Sequence, residues 1–274
     1  VALLFPLGLG WQHYGDRKLE AEMGEPLGLW RTALKSGEMG ERLASGFDDL
    51  PPQTILLADW EQITPLWYLQ QVEGVRPDIT LVYPIERLSE FAAQDRPLCL
   101  ARHYPVDERW HLTNVDALVC LQRNPAQTLS ARMTPQDTTL VTQAKRTFGW
   151  RGRGSRIRRS APGGDVTVML GWEALRALEH DYSISLRLLD EAWQEVWKQD
   201  QQHPVMGLYA TSRWAAGEVV QDWHEITVAR DLPPGVYLWG VVVYRATPPG
   251  DFENLRDTAG NIVIYGGSLQ VLPR

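Results

Sequence analysis

The residues best placed to do chemistry are Asp59, Trp60 and Glu61, directly after the apolar run Thr54–Ala58. In open α/β sheets, ligands bind outside the carboxyl ends of strands. Asp59 stands at such an end, and Asp78 precedes the next expected strand. Two carboxylates and an indole could hold a polar ligand or a cation, or serve a soluble enzyme with a carboxylate site at Asp59. The plainer assignment makes Asp59 a helix cap and Asp78 a turn residue after Pro77.

Tryptophan supplies the second set of candidates. The chain has 12 Trp against 5 Phe, and seven of the Trp lie at or beyond residue 150. Trp172 and Trp239 fall in rows of alternating apolar residues and are expected in a core. Trp193, Trp197, Trp214 and Trp223 lie near turns or in polar stretches and are expected at the surface. Exposed indoles stack on sugar rings, as in carbohydrate-binding modules. Packing under loops, or against the first domain, is the alternative.

Charge separates a third feature. The net charge is −7 over 274 residues, which argues against a nucleic-acid partner. Yet Lys145, Arg146, Arg151, Arg153, Arg156, Arg158 and Arg159 form a run without an acid. Such a run serves as a solvated linker or a charge-protected edge strand, or meets an anionic membrane surface or a phosphate. Residues 1–11 are apolar, and within residues 1–14 Trp11 and Tyr14 stand at the end of that run. They fit a buried strand or the end of a membrane helix, with the two aromatic residues in its interfacial belt.

Other chemistries lack their signatures. There is no G-x-x-x-x-G-K-[ST], no G-x-S-x-G and no H-E-x-x-H. The six His are scattered, so no metal and no cofactor is expected. Cys99 and Cys120 sit in short apolar runs and read as buried strand thiols. A bridge between neighbouring strands is an alternative that spacing leaves open.

The elements that must position these residues change grammar along the chain. Residues 1–49 read as an apolar start followed by short helices interrupted by glycine. Residues 50–147 alternate strand and helix: strands at Thr54–Ala58, Ile79–Tyr83, Pro97–Ala101 and Ala117–Leu121, with helices after Asp59 and over Glu86–Gln94. Thr64-Pro65 is a competing start for the first of these helices. This pattern predicts a small, mostly parallel α/β sheet. From 148 to 274, period-two rows at Val166–Trp172, Tyr182–Leu188 and Tyr237–Val243 predict an all-β antiparallel sandwich, immunoglobulin-like or carbohydrate-binding-module-like. The basic run would then be the junction.

Several stretches resemble a known family. Leu57-Ala58-Asp59-Trp60-Glu61-Gln62, Pro65-Leu66-Trp67-Tyr68-Leu69-Gln70 and Glu73-Gly74-Val75-Arg76-Pro77-Asp78 resemble the segment after the last membrane helix of bacterial family-39-like membrane glycosyltransferases. These are relatives of the dolichyl-phosphate-mannose protein mannosyltransferases, with sets common in Chloroflexi. Asp181–Asp190, Thr211–Trp214, Gly217–Val220 with Asp222, and Leu232–Tyr237 are similar to the β-sandwich that often ends those chains. Glu191-Ala192-Trp193 stands where that family usually has an Asp-Gly turn, and residues 24–46 have no counterpart. The resemblance implies an extracytoplasmic, membrane-associated accessory region that recognises a glycan or protein acceptor. It carries no catalytic residue onto this chain. A secreted, self-associating structural protein is the other expectation, with the soluble enzyme third.

Overall fold

A computed structural model describes Leu43 and residues 46–129, 133–142, 145–155, 159–160, 162–247 and 250–273. The expectations for residues 1–14, for most of 16–49, and for Arg156 and Arg158 lie outside the described residues.

The first sheet grows from apolar triplets. Strands β1 (Ile55–Leu57) and β3 (Leu98–Leu100) are buried throughout, as strands covered on both faces must be. With β2 (Thr80–Val82), β4 (His111–Val115) and β5 (Leu118–Gln122) they form a five-stranded sheet in the order β2-β1-β3-β5-β4. The three strands β2, β1 and β3 are parallel. The pairs β3–β5 and β5–β4 are antiparallel, so the sheet is mixed where a mostly parallel one was expected. Strand β4 hides in the sequence because His111, Thr113 and Asn114 break its apolar pattern.

Helix α1 (Trp60–Gln71) covers one face, burying Ile63 and Leu66 against Leu56, Cys99 and Leu118. It starts at Trp60, with Asp59 as the cap residue, and Pro65 lies inside it rather than opening it. Gly74, at φ 71°, turns the chain past the helix end, where the Val75 N–H donates to the Leu69 carbonyl. The expected helix over Glu86–Gln94 is a 3-10 turn, Ile85–Arg87, running into a short helix α2 (Leu88–Phe91). Cys99 and Cys120 stand directly opposite each other in β3 and β5, with Cα atoms 4.0 Å apart, and form a disulfide. The free-thiol reading is thereby corrected. Strand register decides the pairing, and register cannot be read from two apolar runs.

Arg76 knits the amino edge of this sheet. Its guanidinium donates to the carbonyls of Phe47, Asp48, Leu50 and Pro51, and grips the Asp78 carboxylate at 2.9 Å. Asp78 also accepts the Gln53 N–H.

The rest of the chain is two mostly antiparallel sheets packed as a β-sandwich. One contains β12 (Val219–Thr227), β9 (Asp165–Ala174), β7 (Lys145–Ser155), β6 (Thr134–Thr142) and β15 (Arg256–Asp257), in that order. The other runs β11 (Glu195–Gln201), β10 (Ser183–Leu189), β13 (Gly235–Thr247), β16 (Ile264–Val271) and β8 (Arg159–Ser160), with β14 (Asp251–Asn254) on β13. The expected rows fill the core between them: Val166, Val168, Leu170 and Trp172 face Leu186, Leu188, Trp239 and Val241 in one cluster. The expected boundary at 147/148 falls inside β7, because β6 and β7 are a hairpin of the sandwich. The basic run is therefore not a junction. Phe148 and Trp150 on β7 are each 1% exposed and belong to the core, but the flanking charges mask them in the sequence.

The two parts join at an edge. Strand β12 ends its sheet, so its outward N–H groups need acceptors. Gln221 N–H donates to Thr113 Oγ1 at 3.1 Å, Trp223 N–H to Asn114 Oδ1 at 3.0 Å, and Val219 N–H to the Ala126 carbonyl at 2.8 Å. Below this row the Glu218 carboxylate, 1% exposed, accepts the Tyr209 hydroxyl at 2.8 Å and the Ala215 N–H at 2.8 Å. His111 Nδ1 lies 3.0 Å from it. Burial, then the Glu218 charge, pushes the Tyr209 phenol up, so it stays a donor.

Two outcomes follow for stability. Asn114→Ala takes the acceptor from the buried Trp223 N–H and should destabilise the protein by about 1–3 kcal/mol in urea unfolding. The second concerns acid. The Arg76 guanidinium and then the Gln53 N–H hold the Asp78 carboxyl well below the usual range. Its stabilisation is complete above the unfolded value of about 3.9 and is lost as pH falls through the folded one. Asp78→Asn should flatten the loss of stability below about pH 4, measured as the urea midpoint against pH.

Candidate functional site

The carboxyl ends of the three parallel strands converge on one edge. Asp59 follows β1, Tyr83 follows β2, and Arg102 follows β3. The Asp59 carboxylate is ion-paired with Arg102. Its other oxygen lies 3.4 Å from the Ile85 amide. Arg102 also donates to the His103 carbonyl at 2.8 Å, and its guanidinium carbon sits 5.6 Å from the Tyr104 ring centroid. Trp60 and Tyr83 meet edge to face with centroids 6.1 Å apart. Both rings are open to solvent, Trp60 at 61% and Tyr83 at 43%. Trp67 and Tyr68 add further exposed rings on α1.

Exposed aromatic faces beside a half-open ion pair offer stacking surface together with fixed donors and acceptors. That is the composition of sites that take polar ligands with an apolar face. Glu61 lies exposed on the first turn of α1. Asp78 does not join this group. Parallel strands place the residue after β1 and the residue before β2 at opposite edges, and Asp78 is held by Arg76 at the amino edge. The expected Asp59–Asp78 pairing is corrected on that ground. Among the described residues no cluster of three or more His, Cys, Asp or Glu is arranged to hold a metal ion. Tyr83, Arg102 and Tyr104 were missed in the sequence. Their signal was position, since Tyr83 and Arg102 follow strands whose carboxyl ends share one edge.

The sandwich tryptophans divide. Trp193 is 64% exposed at the tip of the β10–β11 turn, at φ 61°. Asp190 Oδ1 braces that turn by accepting the Ala192 and Gln194 N–H groups. Trp197, on edge strand β11, is partly buried against the core. Trp214 and Trp223 are buried, 2% and 7% exposed, which corrects the surface placement. Trp214 packs on Phe148 and Tyr209, with centroids 5.8 Å away in each case. Trp223 lies on the face of β12 turned toward β4, so the joint between the two parts covers it.

Two of the basic residues, Arg151 and Arg153, are similarly committed. Arg151 pairs with Glu173 and Asp137 at 2.5 Å each, and Arg153 donates to the Gly266 carbonyl. Arg146 is exposed and reaches Thr139 at 3.4 Å. Lys145 opens β7 and Arg159 opens β8.

No family model matches the chain, and no curated protein matches it. Among solved structures, the C-terminal domain of wzt shares 9% identity over 53% of this chain and 81% of that one, at a TM-score of 0.35. A Niemann-Pick type C2 protein from the Japanese carpenter ant shares 5% identity over 50% and 95%, at 0.31. A family 123 glycoside hydrolase from Clostridium perfringens shares 9% over 47% and 27%, at 0.30. These overlaps are too distant to carry a function across.

Truncation separates the two classes of tryptophan. Trp214→Ala should cost about 3–5 kcal/mol, whereas Trp60→Ala should stay within about 0.5 kcal/mol of the parent. Urea unfolding of the two variants checks this.

Proposed function

We propose that this chain is a non-catalytic, extracytoplasmic recognition region of a membrane glycosyltransferase-like protein, and that it binds a glycan on the carboxyl edge of its mixed sheet. The observation that carries the reading is the exposed Trp60–Tyr83 pair beside the Asp59–Arg102 ion pair. A pyranose presents a C–H face to an aromatic ring and hydroxyls to its rim. The rings supply the first contact, and the carboxylate and guanidinium supply the second.

Two further features support the setting. The segments around Asp59 and in the sandwich resemble the regions that follow the membrane domain in family-39-like glycosyltransferases. The Cys99–Cys120 disulfide suits an oxidising compartment, since such bonds are rare where thiols are kept reduced. On this reading the sandwich is carbohydrate-binding-module-like, and its exposed Trp193 is available for a separate contact.

The test is a glycan array, followed by calorimetry on the best ligand. Binding should appear for neutral glycans, and Trp60→Ala should weaken it by about tenfold or more without changing the unfolding midpoint, given stacking worth ~1.5 kcal/mol. A blank array, or binding unchanged in Trp60→Ala and Tyr83→Ala alike, would overturn the reading.

A further inference from the structure

Strand β11 ends its sheet, pairing with β10 on one side only. Its seven residues, Glu195–Gln201, are exposed apart from the partly buried Trp197 and Gln201. Among the described residues, the strands of five or more residues that end a sheet are β4, β11 and β12. Strands β4 and β12 cover each other through Thr113 and Asn114. Strand β11 has no such cover among the described residues, so its outer N–H and C=O groups are left to solvent.

Charged residues on an open edge usually discourage a second strand. The signs on this edge suit one strand in particular, its own copy. Lys198 and Asp200 share a face of β11 and are both exposed, with Nζ and the carboxylate 3.8 Å apart. On β10 the residue directly opposite Lys198 is Arg187, whose Nη1 donates to Glu195 at 2.7 Å. Lys198 therefore has a cation on its inner side, an unfavourable cross-strand pair, and an open outer side. Asp200 stands opposite Ser185 and also lies near the Tyr244 hydroxyl. A carboxylate accepts several donors at once, so Asp200 keeps capacity for a further cation. In an antiparallel pair of two copies, a two-fold axis at Gln199 sets each Lys198 opposite Asp200 of the second copy. Symmetry then makes the ion pair twice. An axis at Lys198 would set that lysine against itself. Charge thus selects one register.

We propose that β11 is a dimer edge: two copies of this chain pair antiparallel through it, centred on Gln199, with Lys198 and Asp200 forming two ion pairs across the axis. Main-chain hydrogen bonds along Trp197–Gln201 supply the attachment, as in strand addition to an open sheet edge. Exposed ion pairs add little energy, whereas like charges set opposite each other oppose pairing, so the charges fix alignment more than affinity. The association stops at two copies because both use the same edge. It is independent of the glycan reading, since the Trp60 edge belongs to the mixed sheet and the test needs no sugar.

Sedimentation equilibrium on the whole chain should show a reversible monomer–dimer equilibrium at concentrations up to about 200 μM, without larger species. Lys198→Asp sets Asp against Asp, and Asp200→Lys sets Lys against Lys. Each should weaken the dimer by about tenfold or more, because two pairs change sign at once. The double variant Lys198→Asp/Asp200→Lys should regain most of the affinity, since both pairs return with their signs exchanged. A merely structural effect of one replacement would not be undone by the other. Both side chains are exposed, so the fold should survive, and unfolding midpoints verify this. Gln199→Cys tests the register. Cys99 and Cys120 are joined to each other, so under mild oxidation the introduced thiol should cross-link to its own copy, and faster than in Val196→Cys. A monomer throughout that range, open-ended growth, no recovery in the double variant, or cross-linking no faster at 199 than at 196 would overturn the proposal.

Discussion

The structure depends on how one sheet edge is covered. Strand β12 has β9 on one side only, and its other row of N–H groups would be a site for uncontrolled pairing. A third strand could have continued the sheet. Instead Thr113 and Asn114, side chains of an edge strand in a different sheet, and the Ala126 carbonyl accept those N–H groups. Side chains can meet an edge at an angle that backbone pairing does not allow. The mixed sheet therefore packs across the sandwich edge without merging with it, while one apolar cluster runs through both. Asn114 works in both directions: its amide donates to Leu118 and its carbonyl accepts from Gln221 Nε2. Glu218, at the root of β12, adds a buried carboxylate whose acceptor capacity is taken up by Tyr209, Ala215 and His111.

The same strand shows how a core tolerates charge. Asp222 and His224 point into the sandwich on the face of β12 that also carries Val220 and Ile226. Asp222 is 0% exposed and His224 3% exposed. Isolated, either group would be costly to bury. Asp222 instead accepts the Val205 N–H at 2.7 Å and Gln201 Nε2 at 3.1 Å, and lies 2.6 Å from His224 Nε2. The segment between β11 and β12 is thereby anchored to β12 at Val205. Trp150, Trp172, Phe148, Tyr182 and Trp214 form one connected ring system in the buried core.

What could be read in the sequence follows from the kind of constraint involved. Period-two rows such as Val166–Trp172 announced their strands because one face is core and the other is not. Apolar triplets announced β1 and β3 for the opposite reason, burial on both faces. Where polar residues do structural work, the pattern failed. Strand β4 carries Thr113 and Asn114 for the neighbouring edge, and β7 carries arginines whose partners, Asp137 and Glu173, lie on other strands. Trp214 and Trp223 looked exposed because their neighbours in sequence are polar; what buries them is distant in sequence. The disulfide followed the same rule, since β3 and β5 had to be paired before Cys99 could face Cys120. At the carboxyl edge, the placement of Asp59 and Trp60 was legible from their position directly after one apolar run. Tyr83 and Arg102 required the relative order of three strands.

The two ends of the parallel strands are then used differently, and connectivity explains why. At the amino edge the chain arrives from α1 and the short helices, so loops there must return and be tied. Arg76 does this by collecting four carbonyls, and Asp78 fixes Arg76 in place. At the carboxyl edge the chain departs into helices and loops whose first residues need no such tie. Asp59 can cap α1 through its backbone while its carboxylate turns to Arg102. Trp60, as the first helical residue, meets Tyr83 edge to face but has no layer above it among the described residues. A ring at that position gains little from folding, and its 61% exposure reflects that. Packing among the described residues therefore gives little reason for an indole at this position.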